Sequence, residues 1–338
     1  MIRKYTTAIT ACLDDYGRNM RDSTRAQVRA VKIAAWAWAI VRLVLIVGLA
    51  FIILYPLIHM TSIALRHRTE LFDPTVIWIP RTITLENFTL AIERMDYFSA
   101  FRTTVSISIV SSILLVISCG LAGYGLARFD FAGKKVLFGI LLLTIILPPQ
   151  LFLIPQFLDN SFFDFFGIVP LVNIFGANVP TINILNTGWP LYLPAALGQG
   201  LRSGLLIYIF RQFFRGMPSE LEDAAYVDGA GTLVTFVKVI LPNAVPAILT
   251  VFLFSLVWYW NDTVYSNMFL GSNSTITMRL ANHHAFSVVD PITNVRDMAA
   301  GITSRFAGSI LSITPILVVY IIFQRHFVES IEKTGIVG

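Results

Sequence analysis

The sequence predicts an all-α, polytopic membrane protein with six transmembrane helices and a cytoplasmic helix-turn-helix segment between the fourth and fifth. Hydrophobic residues make up 56% of the 338-residue chain and charged residues only 13%, whereas about a quarter of a typical soluble domain is charged. Apolar runs close to membrane-spanning length recur along the chain. Most of the 25 Lys and Arg residues fall between alternate runs, a pattern typical of cytoplasmic loops.

The composition also excludes several classes of function. A net charge of +5 is explained by basic cytoplasmic loops, so we predict no nucleic-acid partner. Cys12 and Cys119 are too few and too far apart for a disulfide framework or a metal site. His283 and His284 lack a third ligand at useful spacing and are interpreted as a solvated pair. With no nucleophile motif and no phosphate loop, we predict no catalytic residue, no metal and no enzyme activity.

The predicted elements follow in order. Residues 1–42 form a basic, cytoplasmic N-terminal tail that ends at the membrane interface, with a partly disordered tail as the alternative. Residues 43–323 form the transmembrane domain and residues 324–338 a cytoplasmic C-terminal tail. No cleavable signal peptide is predicted, because the first apolar run begins late and is too long. The predicted spans are residues 43–60, 101–126, 136–157, 201–214 (beginning nearer Tyr192), 244–269 and 306–323.

The region after the third span has two features that stay open. Pro148, Pro149 and Pro155 predict a kinked helix, which either lines a pathway or is an ordinary kink. An aromatic insertion at about residues 158–200 contains no Lys or Arg before its end. We predict that it lies on the outer face, with a seventh span as the alternative and no function assigned.

The segment at residues 217–242, called the hairpin below, is predicted to be ordered. Ser219 and Glu222 have capping-box spacing, which predicts the start of a short helix. Gly229 can adopt the left-handed conformation that ends a helix. Thr232 is predicted to cap a second helix that runs towards Pro242. The hairpin is therefore predicted to be helix, turn, helix.

The hairpin resembles the E-A-A-x3-G-x9-I-x-L-P signature of the permease subunits of ABC importers. Asp223, Ala224, Ala225 and Gly229 match it, followed by Val239, Leu241 and Pro242. Asp223 stands where glutamate is usual, and Val239 where isoleucine is usual. The resemblance implies that the hairpin docks on a cytoplasmic ATPase. The residues predicted to couple to that ATPase are Glu222, Asp223, Ala224, Ala225, Asp228, Gly229, Leu241 and Pro242.

Further motifs resemble the carbohydrate type of these permeases. They are Thr84–Phe88 (T-L-E-N-F), Gly125–Phe129 (G-L-A-R-F), Arg211–Phe214 (R-Q-F-F), Trp260–Asp262 (W-N-D) and the Gln324–Val328 ending (Q-R-H-F-V). The resemblance implies a sugar or oligosaccharide importer in the bacterial inner membrane. It also implies a second permease subunit forming a heterodimer, two ATPase subunits that bind ATP and Mg, and an extracytoplasmic binding protein, while this chain binds no cofactor.

Ser255, Asn261 and Asp262 are the candidate substrate-pathway residues. An ionisable residue inside a span is costly and tends to face a cavity, although a hydrated Asp262 near the outer interface is an equal alternative. Two other functions stay open. One is an ABC importer of another solute, such as a peptide or a polyamine, and the other is an ion-driven secondary transporter that relays protons through Asp262. A structural membrane anchor gives no reason for an ordered hairpin.

Overall fold

The computed structural model describes residues 2–164, 167–174, 180–271, 274–282, 286–289 and 296–335. Across these ranges the chain is nearly all helical, which confirms the predicted all-α class. Pairing of β type within them is limited to isolated bridges, which join Arg66 to Ile83, Phe163 to Ile182 and Val289 to Arg296. His283 and His284 lie outside the described residues.

The chain divides into two compact units, residues 1–60 and 61–338. Helix α1 (Ile2–Ala64) supplies nearly all of the first unit and runs without a break through the predicted end of the tail at residue 42. The sequence contains neither Gly nor Pro between Gly17 and Gly48, so nothing in it interrupts the helix there. Within Val31–Ala64, an 18-residue window has a mean hydropathy of 2.7, and the large apolar side chains up to Ile58 are exposed.

The second unit contains the remaining helices. They are α2 (Glu86–Arg94), α3 (Tyr97–Arg128), α4 (Lys134–Ile146), α5 (Leu153–Ser161), α6 (Ile168–Ile174), α7 (Trp189–Ala196), α8 (Ser203–Gly216), α9 (Glu220–Val227), α10 (Thr232–Thr235), α11 (Leu241–Asn243), α12 (Val245–Trp260), α13 (Val264–Leu270), α14 (Ile276–Ala281) and α15 (Met298–Gly335). Short 3₁₀ turns occupy Arg68–Glu70 and Pro149–Phe152, and a π-helical turn occupies Phe236–Ile240.

Among the described residues, three helical segments are each long and apolar enough to cross a membrane: Val31–Ala64, Tyr97–Arg128 and Met298–Gln324. Two bent pairs raise the number to five. The first pair joins α4 to Pro149–Ser161 with a bend of 102°. The predicted third span is therefore two segments rather than one kinked helix, because the two adjacent prolines withhold backbone N–H groups and clash with the preceding turn. The second pair joins Thr232–Asn243 to α12 with a bend of 75°.

The predicted fourth and fifth spans also differ from the structure. The fourth is divided into α7 and α8, since Gly198 and Arg202 between them adopt positive φ angles of 71° and 53°. The predicted fifth span ends early, because α12 stops at Trp260 and a separate helix, α13, begins at Val264. Asn261 and Asp262 therefore lie between two helices.

Helix α3 is the centre of the main hydrophobic core. It packs against α7, α8 and α12, and its Leu115 and Cys119 are fully buried together with Leu206 and Val251. The closest approach is at Gly123, where an added Cβ would lie 2.5 Å from Phe210 Cβ of α8. Only a residue without Cβ lets α3 and α8 come this close.

A second, smaller core joins α2 to α15 through Asn87. Its buried side-chain amide donates to the carbonyl oxygens of Ala64 and Arg66, both at 2.8 Å. Its amide oxygen accepts a hydrogen bond of 2.8 Å from the Thr303 hydroxyl of α15. This amide therefore holds the connector that leads from α1 to α3, and it belongs to the T-L-E-N-F motif.

Candidate functional site: the hairpin

The first helix of the hairpin ends as the sequence predicts. Gly229 has a φ of +81°, and two hydrogen bonds close the last turn: Gly229 N donates to Tyr226 O at 3.0 Å and Ala230 N to Ala225 O at 2.9 Å. This pair of bonds is the Schellman arrangement, in which the left-handed residue satisfies the last carbonyl groups of the helix. The prediction that this helix ends at Gly229 is confirmed.

The start of the same helix differs from the prediction. The Ser219 side chain makes no capping hydrogen bond, so the predicted capping box is wrong, although α9 does begin at the next residue. The Glu222 carboxylate instead accepts a hydrogen bond of 3.2 Å from the Tyr124 hydroxyl of α3. It also lies 3.1 Å from Arg128 Nε. The Glu222 carboxylate therefore pairs with Arg128 of another helix rather than with the Ser219 backbone N–H, as a capping box requires.

The second helix of the hairpin begins at Thr232, and Gly231 occupies the capping position predicted for Thr232. A π-helical turn then covers Phe236–Ile240, and the helical path continues through Pro242 to Asn243. Proline has no N–H to complete an ordinary α-helical turn, and the wider turn before it accommodates the ring. The bend into α12 follows this turn.

Arg128 connects the hairpin to the end of α3. Its Nη2 donates a hydrogen bond of 2.8 Å to the Met217 carbonyl at the end of α8, while its Nε faces the Glu222 carboxylate. Only 14% of the Arg128 side chain and 11% of the Glu222 side chain are exposed. One guanidinium therefore joins α3, α8 and α9, and it also lies in the last turn of α3, where a cation is favourable.

Aromatic packing holds the second helix of the hairpin against the same part of α3. The Tyr124 ring lies 4.6 Å from the Phe236 ring and 5.5 Å from the Phe214 ring, centroid to centroid. Phe214 stacks on Phe210 at 5.8 Å. These separations are typical of stabilising aromatic pairs, so both helices of the hairpin are fixed to α3.

The sequence reasoning missed Tyr124 and Arg128 as part of this site. Arg128 lies in the G-L-A-R-F motif, where its charge alone was used to predict the side of the membrane. The signal for its contact was the proximity of α3 to the hairpin, and nothing in a single sequence reveals that proximity.

The opposite face of the hairpin is exposed and combines acidic with apolar groups. Asp223, Ala224, Asp228 and Gly229 are exposed, as is Pro242, while Leu241 is half-buried. Ala225 is buried, so of the predicted pair of accessible alanines only Ala224 is at the surface. Exposed apolar side chains surround these groups: Leu221, Tyr226, Val227, Leu233, Val234 and Val237. Patches of this kind occur at protein or membrane interaction sites.

The three predicted pathway residues do not share one helical face. The Ser255 hydroxyl of α12 is buried and donates to Val251 O of its own helix at 2.9 Å. Asn261 is exposed, and its amide bonds to Val257 O at 2.9 Å. Asp262 accepts from Tyr265 N at 3.3 Å and Ser266 N at 2.6 Å. It therefore caps α13, and its predicted place inside a continuous span is wrong because α12 ends at Trp260.

No group of three metal-ligating side chains occurs in the part of the chain that the structure describes. The site is a helical pair with one face packed against the helix bundle and the other face exposed.

Comparisons with known proteins agree with this geometry. A family model described as "Binding-protein-dependent transport system inner membrane component" matches residues 115–333. The arabinooligosaccharides transport system permease protein AraQ of Halalkalibacterium halodurans is 28% identical over 293 residues, covering 86% of this chain and 93% of the relative. The trehalose transport system permease protein SugB of Mycobacterium tuberculosis is 31% identical over 305 residues, covering 89% and 97%.

A solved structure shares the fold. It is a bacterial ABC transporter involved in the import of the acidic polysaccharide alginate, and one of its chains superposes with a TM-score of 0.67. The alignment covers 86% of this chain and 96% of that chain at 21% sequence identity. At this identity the likeness establishes the fold alone.

Proposed function

This chain belongs to the family of binding-protein-dependent transport system inner membrane components, and we propose that it is a permease subunit of an ATP-driven importer of a sugar or oligosaccharide. Its relatives include permeases for arabinooligosaccharides and trehalose, which supports the substrate class. The observation that carries the proposal is the exposed face of the hairpin, which presents Asp223, Ala224 and Gly229 of the D-A-A-x3-G pattern on a helix pair fixed to the bundle.

The proposed topology has six spans with the hairpin and both termini in the cytoplasm. The six spans are the three long helical segments, α4 with Pro149–Ser161, α7 together with α8, and α12. The other member of the second bent pair, Thr232–Asn243, belongs to the hairpin. The connection between α3 and α4 and the hairpin then lie on the same side. Basic residues lie in or directly beside both, among them Arg128, Lys134, Lys135 and Arg215. The distribution of Lys and Arg supports this orientation.

In the proposed assembly, the chain pairs with a second permease subunit, two ATPase subunits and an extracytoplasmic binding protein. ATP and Mg bind to the ATPase subunits, and this chain needs no cofactor. The exposed apolar side chains of the hairpin fit a groove of the ATPase. Ala224 lets the partner approach the α9 backbone closely because its side chain ends at Cβ.

The proposed mechanism is mechanical. ATP binding closes the ATPase pair and displaces the hairpin as one body, because the buried ion pair and the aromatic cluster fix it to α3. The core helices α3, α8 and α12 then rearrange and open the cavity alternately to the two sides of the membrane. Such a ligand-driven switch needs a different binding free energy in the two states, which contacts with the hairpin would supply.

The test reverses the charge of Asp223 in the reconstituted complex. Asp223→Lys places a cation on the exposed face. We expect both retention of the ATPase on the tagged permease and uptake of a labelled oligosaccharide to fall by about tenfold or more. Truncating or opposing an interface charge commonly costs about 2 kcal/mol or more. Asp130→Lys is the matched control, because Asp130 is also exposed but lies between α3 and α4, outside the hairpin. Equal ATPase retention by the two variants would contradict the proposal.

A further inference from the structure

We propose that the buried Glu222–Arg128 pair is the joint that transmits movement of the hairpin to α3, so that Glu222 and Arg128 are positioning residues for transport. This inference rests on the proposed function of the hairpin. It concerns the inward face of the hairpin, whereas docking of the ATPase concerns the outward face.

The first observation is that the acidic residues of α9 divide between two faces. Glu220 and Asp223 are exposed, while Glu222 is buried against α3. A helix that needed acidic groups only for solubility, or only for docking, would keep all three in water. Burying a carboxylate is unfavourable unless a charge partner and hydrogen bonds compensate for the lost hydration. Arg128 and the Tyr124 hydroxyl provide that compensation here.

The second observation is that Arg128 contacts every element that meets at the joint. It is the last residue of α3, its Nη2 binds the Met217 carbonyl, and its Nε pairs with Glu222. Displacement of α9 therefore displaces the Arg128 guanidinium at the end of α3. Flexible surface side chains would absorb such a displacement, whereas a buried pair with three connected partners cannot do so without breaking.

The third observation is a second point of attachment. Phe236, on the other helix of the hairpin, packs on Tyr124, one turn before Arg128 on α3. Two attachments on successive turns of α3 prevent the hairpin from pivoting about either one of them. The ion pair supplies the directional contact and the aromatic pair the packed contact.

The fourth observation is that α3 has specific contacts near its other end as well. Asp96, which precedes α3, forms an ion pair of 3.4 Å with Arg279 of α14. The Thr104 hydroxyl of α3 accepts a hydrogen bond of 2.9 Å from Ile276 N, also in α14. A shift of α3 thus reaches α14, far from the hairpin.

The test separates coupling from assembly. Glu222→Gln keeps the shape of the side chain and an acceptor for the Tyr124 hydroxyl but removes the charge that Arg128 faces. In the full complex in proteoliposomes, we expect normal ATPase retention and ATP hydrolysis but about a tenfold fall in oligosaccharide taken up per ATP hydrolysed, within the range of ordinary coupling between sites. Glu220→Gln removes an exposed charge from the same helix and is expected to behave like the wild type.

The charge-swapped variant, Glu222→Arg with Arg128→Glu, is the decisive companion. We expect it to restore uptake per ATP above that of Glu222→Gln, because the pair is re-formed with opposite polarity. ATPase retention is measured alongside, and a recovery of uptake per ATP at unchanged ATPase retention assigns the effect to coupling rather than to folding. If Glu222→Gln does not accumulate in the membrane, Arg128→Lys, which keeps the charge but loses the planar guanidinium, is expected to lower uptake per ATP in the same direction.

Three results would overturn the inference. The first is unchanged uptake per ATP in Glu222→Gln or, if that variant does not accumulate in the membrane, in Arg128→Lys. The other two are an equal fall in uptake per ATP in Glu220→Gln and no recovery in the charge-swapped variant. These results differ from failure of the proposed function itself. In that case the wild-type chain would retain no ATPase at all, and the ratio of uptake to hydrolysis could not be measured.

Discussion

Two connectors of this molecule, the hairpin and the segment at residues 65–96, both join long helices, yet they use charge differently. In the hairpin, the paired charges of Arg128 and Glu222 are almost completely buried. In the segment 65–96, the pair of Arg68 with Asp297 leaves 57% of the arginine side chain exposed, and the pair of Arg81 with Asp73 leaves 65%. The buried polar side chains of that segment are the neutral amide of Asn87 and the Arg66 guanidinium, which bonds the Ser62 hydroxyl and the Ile77 carbonyl rather than a carboxylate.

The difference shows what each connector requires. Segment 65–96 keeps its shape through local hydrogen bonds: the Glu70 carboxylate accepts from Arg81 N and Thr82 N, both at 2.9 Å. Hydrogen bonds with Thr82, first of all, and with the Arg81 backbone hold the pKa of Glu70 below its usual value. The Arg68 and Arg81 side chains of the segment's ion pairs remain largely in water, where pairs contribute little. The hairpin has a desolvated ion pair, and the loss of one partner of such a pair strongly destabilises the folded protein.

The largest expected effect is in the hairpin. Arg128→Met keeps a side chain of similar length but leaves the Glu222 carboxylate buried without a cation. We expect the free energy of unfolding of the purified chain in detergent to fall by about 3–5 kcal/mol, measured by denaturant or thermal unfolding. The double variant Arg128→Met with Glu222→Met removes both charges and is expected to regain most of this loss. A double variant as unstable as the single one would break the comparison.

An intermediate effect is expected at the turn of the hairpin. Gly229→Ala has open space for its Cβ but must keep a φ of +81°, which costs about 1–2 kcal/mol for a residue with a side chain. Gly231→Ala is the matched control, because that Cβ also meets open space while the φ of Gly231 is −75°. The measurement is the unfolding free energy together with ATPase retention. If the two alanine variants are equally stable, backbone conformation does not limit the turn.

The smallest effect is expected in segment 65–96. Arg68→Ala removes an exposed pair, and the coupling energy in a double-mutant cycle with Asp297→Asn is expected to be about 0–1 kcal/mol and to decrease at high salt. Asparagine is chosen because Asp297 also accepts a hydrogen bond of 2.9 Å from Ala300 N at the start of α15. A coupling energy as large as that of the hairpin pair would mean that exposure does not distinguish the two connectors.

The sequence predicted those features that depend on local chemistry. Apolar length predicted α3 and the apolar part of α15, and the freedom of glycine at positive φ predicted the end of α9 at Gly229. Local rules were wrong where a tertiary partner decided the outcome. Glu222 has the spacing of a capping residue, but α3 brings a guanidinium within 3.1 Å of its carboxylate.

The divided spans were missed for a related reason. A hydropathy pattern measures apolar length, and it continues through Pro148 and Pro149, and through Trp260 into α13, although the helices end there. Asp262 was read as an ionisable group inside a helix, whereas its carboxylate begins the next one. Neither the bend after α4 nor the Asp262 cap changes the apolar length, so neither can be predicted from a hydropathy pattern.

The unbroken course of α3 has a consequence for thermodynamic linkage. Its 32 residues correspond to a rod of about 48 Å at 1.5 Å per residue, with Arg128 at one end and the Asp96 contact with α14 at the other. Two ligands that bias one rigid element must influence each other equally. In the proposed assembly, a solute-loaded binding protein that favours one position of this rod would therefore raise the affinity of the ATPase for the permease. The ATPase would raise the affinity of the binding protein by the same factor.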